Sequence, residues 1–303
     1  MRTTRLSLTA TATLAAGLLA ACAGPPPVDP NTPVPVTIRF AAQVNGQPFA
    51  CGTRYPGVGT TRSALIPSDL RFYVSALHLI DADGRAVPVR LAQDGVWQVD
   101  DIALLDFENG GGPCRTGTPA TNTQVRGTVP PGRYTGLRLT LGVPFARNHA
   151  DPTTAPAPLN HTALFWNWQG GYKFLKFDTS TTRQPAAPTA SPPEHGGGSA
   201  SGFSVHLGST QCSSASPQAA PAECRAPNRV TVTFDRFDAG RNTVVADLGA
   251  LLAQTNVDAN APDSAPGCMS QPGDADCATV MAAFGLPWDG RPAEGAQRLF
   301  SVR

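Results

Sequence analysis

The sequence predicts a mainly β protein: a single β-sandwich-like domain with one or two short helices and long disulfide-stapled loops. Three observations carry this. Gly and Pro number 30 each in 303 residues while charged residues make up only 15%, which suits a turn-rich chain better than a helical one. Short segments of alternating or β-rich composition recur between turn signals. Six cysteines follow an export-type N-terminus, so an oxidising compartment can use them as staples.

The N-terminus comes first in the chain. Arg2 and Arg5 form a basic region, and an apolar stretch from about Leu6 to Ala21 is too short for a permanent membrane span. It ends in Leu19-Ala20-Ala21-Cys22, small residues before a cysteine, as a lipoprotein signal peptidase requires. Residues 1–21 are therefore expected to be a signal peptide and Cys22 the lipid attachment point. No Asp stands just after Cys22, so a periplasmic protein anchored to the outer membrane is the expected product. Ala23 to Pro35 is Pro-rich and without apolar periodicity, a tether completing residues 22–35.

The domain is expected over residues 36–303. Val34, Val36, Ile38 and Phe40 alternate as in a half-buried strand. Arg71–Ile80 is β-rich and leads into Asp81-Ala82-Asp83-Gly84, a hairpin turn, followed by Val87–Leu91. Thr121–Val129 and Gly136–Val143 flank Pro130-Pro131-Gly132, and Leu137, Leu139 and Leu141 share one face. Further strands are expected at Tyr172–Phe177, Phe203–Leu207, Val230–Phe234 and Thr243–Ala246. Helix is expected only over Asp276–Phe284, with Val280, Ala283 and Phe284 on one face, and over Leu248–Gln254. Gln184–Ser201 is low in complexity and cannot supply a core, so residues 184–201 are expected to be a flexible insertion.

Cys51, Cys114, Cys212, Cys224, Cys268 and Cys277 are an even set. The sequence does not choose among their many pairings. Short separations favour Cys212 with Cys224 and Cys268 with Cys277, leaving Cys51 with Cys114. A thiolate metal site is the alternative, and it lacks any Cys-x-x-Cys spacing.

Several function classes lose support. Net charge is +1 with no basic run, which argues against nucleic acid. His195-Gly196-Gly197-Gly198 resembles an esterase oxyanion segment, but the chain has no Gly-x-Ser-x-Gly. No His-Glu-x-x-His, phosphate-binding loop or Cys-x-x-Cys-His occurs. An enzyme is not expected. Asp81 and Asp83 are the residues of a turn, since a calcium pattern does not continue.

What remains is a small set of soft ligands and two indoles. His206 faces away from Phe203, Val205 and Leu207 on its strand. His78 lies on another strand, and His149 follows Asn148 in a polar turn. Met281 sits in an apolar helix, whereas Met269 directly follows Cys268 in a Gly/Pro-rich loop, where a thioether can be presented to a ligand. With thiols consumed in disulfides, a thioether and an imidazole are the soft set for Cu(I). Trp166 and Trp168, at i and i+2 on an extended chain, would share one face. The metal-free alternative is a surface lipoprotein that binds carbohydrate or protein through these two indoles.

Taken in order, several segments resemble the MbnP-like periplasmic copper-binding proteins, also called metallo-mystery pair proteins with a four-Cys motif. They include Phe49-Ala50-Cys51-Gly52, Asp69–Val74, Leu104-Leu105-Asp106-Phe107-Glu108-Asn109-Gly110, Leu141–Phe145, Asn148-His149-Ala150-Asp151 and Pro158-Leu159-Asn160. Phe165–Phe174, His206-Leu207-Gly208-Ser209-Thr210-Gln211-Cys212, Gly267-Cys268-Met269-Ser270 and Cys277 continue the run. The resemblance implies a Cu(I) site on a β-rich scaffold, with a His and a Met mapped to His206 and Met269 and His149 as the fallback. It implies oxidation of Trp166, the first Trp of the Trp-x-Trp motif, to kynurenine, with Trp168 beside the site. The oxidant implied is a partner dihaem enzyme of the MauG/cytochrome c peroxidase superfamily, since this chain carries no haem-attachment motif.

Overall fold

A computed structural model describes residues 32–182, 202–216, 219–262 and 264–303. The signal peptide, Cys22, most of the tether and the 184–201 insertion with His195 lie outside the described residues.

The strands that position the candidate site are β1 (Val34–Val44), β2 (Ser63–Asp81), β3 (Ile102–Asp106), β4 (Gln124–Val129), β5 (Tyr134–Leu141), β6 (Leu175–Thr181) and β7 (Ser204–Leu207). They continue as β8 (Thr210–Ser213), β9 (Glu223–Ala226), β10 (Val230–Phe234), β11 (Thr243–Asp247), β12 (Gly267–Cys268) and β13 (Phe300–Val302). One sheet runs β13–β11–β1–β4 and ends on the short strand Arg90–Leu91. The other runs β10–β5–β2–β6–β7–β12, with β3 also on β2. β8 and β9 form a separate two-stranded sheet.

The two large sheets face each other through aromatic contacts. Phe72 of β2 meets Phe40 of β1 at 6.3 Å and Phe300 of β13 at 5.6 Å between ring centroids, both edge-on. The mainly β, sandwich-like expectation therefore holds. Leu137, Leu139 and Leu141 are buried together as their alternation predicts. The Asp81–Gly84 turn forms as read: Asp81 Oδ1 accepts from the amides of Asp83 and Arg85, each at 2.9 Å, and Gly84 takes φ +80°. Val87–Leu91 is not one strand but two short pieces, Ala86–Pro88 and Arg90–Leu91, on different sheets.

β2 is longer than its apolar pattern suggested. It serves β6 with its first half and β5 with its second. A bulge lies at Ala76, where φ is +50° and the β5 register slips. The described residues contain three short α-helices: α1 (Phe145–Asn148), α2 (Leu248–Leu252) and α3 (Cys277–Phe284). Only α1 was not read from the sequence, since four residues leave no periodicity. In α3, Val280, Met281, Ala283 and Phe284 are buried, and Gly285 closes it in the left-handed conformation.

The cysteines pair as Cys51–Cys114, Cys212–Cys224 and Cys268–Cys277. No described helix is long and apolar enough to cross a membrane.

Candidate metal centre

The alternation of β6 and β7 creates the site. Leu175, Phe177, Val205 and Leu207 are buried in register with Phe72 and Leu70 of β2, on the face turned to the other sheet. The intervening residues must point to the outer face. There Arg71, Lys176 and His206 stand side by side on β2, β6 and β7. Loops cover this face: Tyr73 is buried beneath the 155–172 segment, its hydroxyl donating to Pro158 O at 2.9 Å, and Thr116 donates to Asp69 Oδ2 at 3.0 Å.

The covered charges are paired. Arg71 Nε donates to Asp69 Oδ1 at 2.9 Å, and Lys176 bridges Asp69 and Asp178, the latter at 2.6 Å. His206 Nε2 donates to Asp178 Oδ1 at 2.7 Å, and the His206 side chain is only 13% exposed. Burial lowers the His206 pKa, and the positive charges of Lys173 and Lys176 add to that against the pull of Asp178. Burial pushes the Asp178 carboxyl up, but His206 and Lys176 outweigh it and hold it well below the usual carboxylate range. Burial likewise drives Lys173 down to about 8. In its neutral form the imidazole, with its Nε2 proton held by the Asp178 carboxylate, leaves the Nδ1 lone pair for a ligand.

Met269 comes to the same place through β12. The parallel register pairs Ser204 with Gly267 and Val205 with Cys268. The pairing ends there, and Met269 follows directly after Cys268. The next residue fastens this: Ser270 Oγ donates to His206 O at 2.9 Å and accepts from the Gly208 amide at 3.3 Å. Met269 is half-buried and lines a solvent-open cavity of about 570 Å³ with Pro262, Ser264, Gln271 and Asp274.

The tryptophans differ from their sequence reading. The i, i+2 argument needs an extended chain, and Trp166–Gly171 is a turn. Gly170 N donates to Asn167 Oδ1 at 2.7 Å, Gly171 N to Asn167 O at 2.7 Å, and Trp166 N to Gly171 O at 3.1 Å. The side chain of Asn167 and the positive φ of Gly171 override the strand pattern. The Trp166 ring and the Trp168 backbone consequently have separate partners. The Trp166 ring lies over Gly208, two residues beyond His206; a Cβ on Gly208 would fall 2.4 Å from Cζ3 of that ring. Trp168 presents its carbonyl to His149.

His149 is held by a chain of hydrogen bonds. Tyr172 N donates to Asn148 Oδ1 at 2.9 Å, Asn148 Nδ2 donates to His149 Nε2 at 3.2 Å, and His149 Nδ1 donates to Trp168 O at 3.0 Å. Burial lowers its pKa. Its Nε2 also lies 3.4 Å from Cys224 Sγ. His149 thus sits on the Cys212–Cys224 bridge, while at the end of β7 the Trp166 ring meets Gly208 and Ser270, the residue after Met269, bonds His206 O. His78 hydrogen-bonds Ala76 O within the bulge at 2.8 Å.

The sequence reading missed Asp178, Lys176 and their ion pairs. The signal was available: Lys176 and Asp178 alternate with Leu175 and Phe177, so the strand's second face is charged. What it lacks is any sign that loops cover that face.

A family model described as MbnP matches residues 33–270 of the chain. Among solved structures, MbnP from Methylosinus trichosporium is similar at 32% sequence identity with a TM-score of 0.77, and the match covers 89% of this chain and 98% of that one. No curated protein matches the chain.

Proposed function

The chain belongs to the MbnP family, and from that premise we propose that it is an exported, lipid-anchored Cu(I)-binding protein of copper homeostasis. In this reading its Trp166 is oxidised to kynurenine by a dihaem partner of the MauG/cytochrome c peroxidase type. It is a binding protein and the substrate of that partner, not an enzyme.

What supports the reading is that the end of β7 carries His206, has the Trp166 ring against Gly208, and is bonded by Ser270, the residue after Met269. The donor set fits monovalent copper. A thioether and a neutral imidazole are soft to borderline donors and disfavour hard cations. Asp178 orients the imidazole through Nε2, so Nδ1 is the nitrogen that would hold the metal. Met269 stands on the wall of an open cavity, where a thioether can meet an incoming ion. Trp166, packed against Gly208, would place its oxidised ring and the new amine and ketone close to these ligands.

Mass spectrometry of the Trp166 peptide from cells with and without a dihaem partner tests the maturation step. The reading expects kynurenine at Trp166 only with the partner. Unmodified Trp166 in both samples overturns it.

A further inference from the structure

Among the described residues, two three-donor clusters have no part in the reading above: Cys51 with Glu108 and Cys114, and His149 with Cys212 and Cys224, of which only the second offers an imidazole. His149 Nε2, Cys212 Sγ and Cys224 Sγ all lie within 4.8 Å of one another. As a disulfide the two sulfurs are poor ligands. As thiolates they would complete a two-sulfur, one-nitrogen set around a common point. We propose that Cys212–Cys224 is a redox-opened bridge whose reduction creates a second, separate Cu(I) site with His149.

Three features distinguish this bridge. Each other bridge has at least one cysteine at most 1% exposed, Cys114 in one (its partner Cys51 is half-buried) and both Cys268 and Cys277 in the other, whereas Cys212 and Cys224 are both half-buried and within reach of a reductant. β8 and β9 form a two-stranded sheet of their own, so opening the bridge cuts no strand of either large sheet. Cys212 and Cys224 are directly paired in that register, which keeps the two sulfurs adjacent once the bond is gone.

The imidazole is already set as a ligand. Tyr172 N fixes Asn148 by donating to Oδ1, which turns Nδ2 toward His149; the Trp168 carbonyl takes the Nδ1 proton. The Nε2 lone pair therefore faces Asn148 Nδ2 and Cys224 Sγ. A metal would replace the Asn148 contact and keep the backbone carbonyl as the orienting partner, the usual support of a metal-bound histidine. Gly171 permits the close approach: a Cβ there would fall 2.5 Å from both Asn148 Nδ2 and its carbonyl oxygen.

The redox step balances through thiol–disulfide exchange. An exported dithiol gives up two electrons and two protons and becomes a disulfide, while the Cys212–Cys224 bond becomes two thiols. Cu(I) binding then releases both thiol protons, leaving two thiolates and a neutral imidazole. Three soft donors suit trigonal Cu(I) better than Zn(II), which takes four ligands in structural sites.

The experiment uses the full-length protein carrying His206→Ala and Met269→Ala, so that copper at the first site does not enter the count. The exposed bridge is opened with a limiting dithiol, and alkylation mapping by mass spectrometry identifies the reduced cysteines. Cu(I) is added against a competing chelator. The proposal expects Cys212 and Cys224 to be reduced first, one Cu(I) to be gained on reduction, and that Cu(I) to protect both thiols from alkylation. His149→Gln should weaken the reduced form's affinity at least ~10-fold with no change in the oxidised form. Reduction of a buried bridge first, no gain of Cu(I), gain without protection, or an unchanged affinity in His149→Gln would each overturn it. The oxidised protein with His206 and Met269 intact reports on the first site, so the two readings fail separately.

Discussion

In the proposed site His206 would owe its ligand character to one carboxylate. Asp178 takes the Nε2 proton at 2.7 Å and itself stays ionised beside Lys176. Asp178→Asn should leave the fold in place, because Lys176 keeps Asp69, yet it removes the group that orients the ring. Loss of such a partner costs about 10–100-fold in metal affinity. Cu(I) competition titration of the variant should show that loss with an unchanged far-UV spectrum, and undiminished affinity would refute the orienting role. A second buried carboxylate behaves differently. Asp106 is 1% exposed, its Oδ2 has no partner, and burial raises its pKa to about 7 despite the amide of Glu108 and the nearby Arg71. In the unfolded chain it titrates near ~3.9. Between these values the native state holds a proton the unfolded chain has released, so this group's contribution to stability falls as pH rises from about 4 to about 7. Asp106→Asn keeps the acceptor for Glu108 N and removes the charge. Its melting temperature, relative to the parent, should be higher at pH 8 than at pH 4, by the equivalent of about 1–3 kcal/mol for one unsatisfied buried group. An equal difference at both pH values would contradict the argument.

Elements bring these residues together through register and caps, and their legibility in the sequence follows from that. β7 was readable because Phe203, Val205 and Leu207 alternate. So was α3, because Val280, Ala283 and Phe284 recur at helical spacing. β12 was not, since Gly267–Cys268 is too short for any period, and yet it delivers Met269. The Trp166–Gly171 turn was misread because the polar spacing of two indoles imitates a strand, while the side-chain bond from Asn167 decides the geometry. His206 and Met269 could be named as residues; the covered charged row beside them could not, because burial of a strand's second face is a tertiary fact. Two element-scale outcomes follow. Gly208→Ala puts a methyl into the Trp166 ring and close to Tyr172 O at 2.8 Å. Overpacking of this kind costs roughly 1–3 kcal/mol, and tryptophan emission should shift as Trp166 is displaced; unchanged emission and stability would mean the ring does not rest there. Asp247 caps α2 by accepting from Gly249 N at 2.9 Å and Ala250 N at 3.2 Å, and it also receives Asn45 N at 3.2 Å. Asp247→Ala should cost at least ~1 kcal/mol in denaturant unfolding with copper affinity intact, because none of these bonds involves a residue of β7 or β12.

At the scale of the whole molecule, two sheets meet through Phe40, Phe72 and Phe300, and the outer face of one of them carries the charged row under a cover of loops. Disulfides hold that cover. Cys51–Cys114 staples the loop that carries Thr116, and Cys268–Cys277 ties the strand before Met269 to α3. This arrangement limits the available soft donors: all six cysteines are held in bridges, the half-buried Cys212–Cys224 pair stands beside His149, and Met269 remains as a free thioether on the wall of an open cavity. The central claim is that His206 and Met269 hold Cu(I). It is tested most directly by Cu(I) affinity, measured by chelator competition on the oxidised protein, for the parent, His206→Ala, Met269→Ala and His149→Ala. The account predicts a large loss for each of the first two and near-parent affinity for His149→Ala. Retained affinity in both His206→Ala and Met269→Ala, or loss in His149→Ala alone, would contradict it.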